Sequence, residues 1–142
     1  MRSKLRFSAI ILAVVMMFSN FAFAAQDDRV DLGNGFYMIT TEKMSDIQLY
    51  DGSKTVEKTG NVYYSGTHVG SITLTATFVY GGSSVAVTSK SISVSTDNGW
   101  SYKNSKTSSS GGTATASCTF YKGSQSTSAS VSMTCDKNGN VS

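Results

Sequence analysis

The sequence predicts an all-β protein, an antiparallel immunoglobulin-like β-sandwich, with a small closed β-barrel as the second choice. Three observations carry this. Apolar residues alternate with Ser or Thr over several stretches, most clearly from Ile72 to Tyr80. Turn signals punctuate those stretches: Gly33-Asn34-Gly35, Asp51-Gly52, Ser65-Gly66, Gly81-Gly82 and Asp97-Asn98-Gly99. Six to eight short strands, each apolar on one face only, need a second apolar layer to cover them, and a second packed sheet supplies it. The immunoglobulin order Cys, Trp, Cys is not met, because Trp100 precedes both cysteines. The expectation is therefore of the architecture and not of that family.

Residues 1–24 read as a secretory signal peptide and 25–142 as one β-sandwich domain. Arg2, Lys4 and Arg6 make a positive start, Ala9 to Phe18 an apolar run, and Ala22-Phe23-Ala24 a small-x-small cleavage site. The apolar run is short for a membrane anchor. The expected product is secreted and extracellular. Removing the leader changes the charge: of 12 basic and 9 acidic residues, three basic ones leave with it, so the remainder is balanced. Its lysines are scattered, which argues against a nucleic-acid partner.

In chain order, Ala25 to Asn34 holds little to bury and reads as a flexible start. Phe36 to Thr41 reads as a strand. Lys43 to Tyr50 is ambiguous: Met44, Ile47 and Tyr50 have helical spacing, while Ile47 to Tyr50 fits a short strand. Thr55 to Lys58 reads as a brief edge strand, followed by Val62-Tyr63-Tyr64 and a turn. Ile72, Leu74, Ala76, Phe78 and Tyr80 then share one face, with Ser71, Thr73, Thr75 and Thr77 on the other. The return strand has a phase conflict, since Val85 and Val87 are out of step with Ile92 and Val94. A β-bulge or bend near Thr88 to Lys90 resolves it. Trp100 and Tyr102 follow on a common face, and Asn104 to Gly112 reads as a polar, mobile loop.

Thr113 to Cys135 reads as a hairpin, with Ala114, Ala116, Cys118 and Phe120 in one inward row and Ala129, Val131, Met133 and Cys135 in the other. Opposed cysteines would centre its turn between Ser126 and Thr127, whereas Lys122-Gly123 would centre it earlier. In an exported chain the pair Cys118 and Cys135 points to a disulfide, worth about 3 kcal/mol in the chain-entropy picture. The other reading is two free buried thiols.

Chemistry is sparse. The one histidine, His68, lies beside a turn, and no Gly-x-Ser-x-Gly elbow is present. His68, Cys118 and Cys135 are too few for a zinc site, and Asp136 to Asn140 begins like a calcium loop but ends before such a loop is complete. No catalytic residue, metal or cofactor is expected. Aromatics are the remaining lead: Trp100, Tyr102, Tyr63 and Tyr64 are the candidate ligand-binding residues, because exposed rings near turns stack on sugar rings. Trp100 also suits the core. The segments Gly112 to Ala116 and Thr134 to Ser142 resemble small, Ser/Thr-rich exported proteins of Gram-positive bacteria. That likeness implies a bacterial, extracellular setting and no particular activity. The function expected is non-catalytic surface contact with an extracellular protein, a glycan or a second copy. The alternative is a secreted toxin or antimicrobial protein acting on membranes, since alternating strands are also what a membrane barrel presents.

Overall fold

The computed structural model describes residues 28–44 and 52–142. The expected signal peptide and residues 45–50 of the ambiguous segment Lys43 to Tyr50 lie outside them; Lys43 and Met44 end a strand. Eight strands are described: β1 (Arg29–Gly33), β2 (Phe36–Met44), β3 (Ser53–Tyr64), β4 (Thr67–Gly81), β5 (Ser84–Thr96), β6 (Ser101–Ser110), β7 (Thr113–Lys122) and β8 (Gln125–Thr134). They form a five-stranded sheet, β1-β2-β3-β4-β5, and a three-stranded sheet, β6-β7-β8, both antiparallel throughout. The sheets pack face to face as a β-sandwich, with β7 and β8 lying over β4 and β8 over β3 as well. The sheets do not join into a closed barrel. Every strand pairs with its chain neighbour, so the order is a meander in each layer, and Asp97 to Trp100 carries the chain between layers.

The period-two pattern accounts for the core. Ile72, Leu74, Ala76 and Phe78 of β4 are buried against Ala116, Cys118 and Phe120 of β7 and Val131 and Met133 of β8 within one cluster. Each fully buried Leu, Ile or Phe side chain contributes about 1.5–3 kcal/mol. Two glycines let the layers and strands approach. A Cβ on Gly60 would collide with Met38 Sδ and meet Val131 Cγ2 at 3.0 Å; one on Gly70 would strike the Ser95 carbonyl and sit 2.8 Å from Phe120.

The phase conflict in β5 is resolved by a bulge. Phe78 pairs with Val87 and Thr77 with Ser89, which leaves Thr88 as the extra residue. Val85, Val87, Ile92 and Val94 all pack against the core as a result.

Several expectations are corrected. There is no disulfide: Cys118 and Cys135 are free and buried. The β7–β8 turn is centred on Gly123-Ser124, so Cys118 faces Ala129 and Cys135 lies six residues further along. At about 3.3 Å per residue that is roughly 20 Å, far beyond disulfide reach. Both cysteines do occupy the inward rows. Asn104 to Ser110 is strand rather than loop. Almost every β6 residue is exposed, so no apolar alternation marks it, and backbone pairing to β7 holds it. Arg29 to Gly33 is likewise a short edge strand rather than a flexible start. Thr55 to Lys58 lies inside a 12-residue strand between β2 and β4.

A candidate contact surface at one end of the sandwich

The turns of β1–β2, β3–β4 and β7–β8 meet the crossover Asp97–Gly99 at one end of the sandwich. Asn34-Gly35 and Ser65-Gly66 both have positive φ at the two central residues (53° and 85°, 48° and 83°), the form that suits the twist of a tight hairpin. Asn98 and Gly99 repeat it at 55° and 78°. Ser65 N–H donates to Gly35 O at 3.1 Å, and Lys122 Nζ donates to Asn98 O at 2.8 Å, so the turns are tied to one another.

Three aromatics gather beneath these turns. Phe36 and Tyr64 have ring centroids 4.6 Å apart, and Trp100 meets Phe36 edge-on at 5.6 Å and Tyr64 at 5.8 Å. Trp100 is only 7% exposed and belongs to the core. Tyr64 is half-buried, and its hydroxyl accepts a hydrogen bond from Gln125 Nε2 at 2.7 Å. On one side of that bond is a shallow cleft of about 350 Å³ bordered by Thr67, Asn98, Trp100, Lys122 and Gln125. On the other is a second cleft of about 350 Å³ bordered by Asn34, Phe36, Ser124 and Ser126. An aromatic edge, an amide, an ammonium and several hydroxyls thus converge on open ground.

Tyr63, one residue earlier, points to the opposite face of β3. It stacks on Tyr37 at 5.1 Å with the rings 12° from parallel, and its other side meets His68 at 5.2 Å. The Arg29 guanidinium carbon lies 3.8 Å from the Tyr37 ring centroid, and His68 Nδ1 is 2.6 Å from Asp97 Oδ2. The row Arg29, Tyr37, Tyr63, His68, Asp97 therefore crosses the outer face of the larger sheet. Asn98 Nδ2 donates to His68 O at 2.8 Å, which fastens the crossover to β4. Tyr102 stands apart from both groups: it pairs in register with Phe120 and is 46% exposed.

Of the four sequence-predicted aromatics, then, Tyr64 and Trp100 come together, while Tyr63 and Tyr102 lie on other surfaces. Sequence reasoning missed Phe36, Lys122, Asn98 and Gln125. Gln125 comes into view only when the last hairpin is centred on Gly123, which brings it beside the Ser65-Gly66 turn.

The cysteines and Asp136 lie away from the aromatic group at this end of the sandwich. Burial pushes the Cys118 thiol up to about 11 and so keeps it protonated and unreactive. Burial also raises Cys135, with Lys54 opposing and Asp136 adding to the rise. Asp136 Oδ1 accepts the Asn140 and Asn138 N–H groups at 2.9 Å, and its Oδ2 accepts Asn140 Nδ2 at 3.1 Å. These bonds, those from Asn140 foremost, hold its carboxyl below the usual carboxylate range. Its oxygens are taken up by their own turn.

Compared with protein-family models, curated proteins and solved structures, the chain matches none of them.

Proposed function

We propose that this chain is an exported, non-catalytic β-sandwich that works by surface contact, and that the turn-bearing end around Tyr64 is the contact surface. One observation carries the reading: Tyr64 and Gln125 sit between two shallow clefts whose rims also hold Asn98 and Lys122. A half-buried ring beside amide, ammonium and hydroxyl groups fits a sugar ring, which offers one flat C–H face and a rim of hydroxyls. A glycan is therefore favoured over a protein or a second copy. Export rests on the leader-like residues 1–24 and on the resemblance to small exported bacterial proteins.

Glycan-array binding of the wild-type chain is the expected positive result. Binding to no glycan contradicts the glycan reading. Release of dye from liposomes by the same preparation favours the alternative, a toxin or antimicrobial protein acting on membranes.

A further inference from the structure

The outer face of the three-stranded sheet has an unusual composition. From Ser101 to Thr134 the chain contains no Asp or Glu, although it holds Lys103, Lys106 and Lys122. All nine acidic residues lie elsewhere. An ordinary solvated face mixes both signs. The outward rows follow from the register: Ser101, Lys103, Lys106, Ser108 and Ser110 on β6 stand opposite Tyr121, Thr119, Ser117, Thr115 and Thr113 on β7. Beyond these, β8 adds Ser126, Ser128, Ser130, Ser132 and Thr134. Neighbouring hydroxyls bond across the strands, Thr115 to Ser132 at 2.7 Å, Thr113 to Thr134 at 2.9 Å and Thr119 to Ser128 at 3.3 Å, so the array is ordered.

The array is interrupted at one place. Lys103 pairs with Thr119 and Lys106 with Ser117, so Asn104 and Ser105 together oppose Cys118 alone. Asn104 has φ 55°, the left-handed conformation that asparagine tolerates better than most non-glycine residues. At this bulge lies a shallow cavity of about 600 Å³ lined by Asn104, Ser105, Lys106, Ser117, Thr119 and Ser128, with Cys118 opposite the bulge also at its wall. Bulges re-aim side chains beside sites. Lys122 is engaged with Asn98 O, and the Lys103 ammonium lies 5.0 Å from the Tyr121 ring, which leaves Lys106 as the cation on the cavity wall.

We propose that this face docks an anionic, hydroxyl-rich polysaccharide, with an acidic group of the polymer seated in the bulge cavity beside Lys106. The complementarity is twofold. Hydroxyls both donate and accept, which matches a polyol, and a carboxylate-free surface with two outward lysines attracts sparse negative charge. Nucleic acid would call for a basic groove interleaved with aromatic platforms. The one aromatic in these outward rows, Tyr121, already carries Lys103. The inference shares the contact-module reading but uses a different surface, so the two fail separately.

The test is binding of the full chain to dextran sulfate, unmodified dextran and polyuridylate at low and at physiological salt. Dextran sulfate is expected to bind most tightly and to weaken with salt. The exposed double variant Lys103→Gln/Lys106→Gln should weaken it about tenfold. Ser128→Asp, which sets a carboxylate on the cavity rim, should do the same, with thermal melting confirming that each variant is folded. Lys90→Gln, at an exposed position of β5 in the other sheet, should leave dextran sulfate binding unchanged. Wild-type affinity in both the lysine and Ser128 variants overturns the proposal, and so does binding of dextran or of polyuridylate that equals that of dextran sulfate and is weakened equally by those variants.

Discussion

At the residue scale, the cysteines and Asp136 make separable predictions. With Cys118 and Cys135 both buried and unbonded, neither thiol should react with a thiol reagent in the native protein, and both should react in denaturant. Reduction should leave the intact mass unchanged; a gain of two hydrogens would mean that a disulfide had formed. Asp136 has a depressed folded pKa, so its contribution to the C-terminal turn is present above the unfolded pKa and is lost as pH falls through the folded one. Amide NMR signals of Asn138 and Asn140 should therefore shift together at a pH below the ordinary carboxylate range. In Asp136→Asn that transition should vanish. A midpoint in the ordinary range would show that the turn does not hold the carboxylate.

At the scale of elements, legibility followed burial. β4 and β7 were readable because every second residue is buried in each, and the conflict in β5 located its bulge to within two residues of Thr88. β6 and β1 were not readable. They are held by backbone pairing at sheet edges, which leaves no apolar period in the sequence. The disulfide expectation failed on register, since a two-residue turn at Gly123-Ser124 slides the cysteines apart. Close approach makes the sharpest energetic prediction. Gly70→Ala should destabilise by about 1–3 kcal/mol in chemical denaturation, because its Cβ meets a backbone carbonyl that cannot swing away. A wild-type midpoint would mean that β4 and β5 have slack there. Deleting Thr88 should cost more than replacing it with Ala, since deletion turns Val85 and Val87 out of the core. Equal midpoints would remove the bulge from the account.

At the scale of the whole molecule, two meanders joined by Asp97–Trp100 bring turns from both sheets to one end, and this is what assembles the proposed contact surface. Tyr64 and Trp100 were visible as candidates because aromatics beside turns are conspicuous in a Ser- and Thr-rich chain. Their partners were not, because Gln125 is 61 residues from Tyr64 in the chain and only the packing of the two sheets makes them neighbours. Trp100 now has a structural role as the ring that Phe36 and Tyr64 pack on. The measurement that bears most directly on the contact surface is glycan-array binding of wild type beside Gln125→Ala and Tyr64→Phe, with folding checked by thermal melting. If this end makes the contact, both folded variants lose about tenfold or more in affinity for the glycan that wild type prefers. Wild-type affinity in both would contradict it.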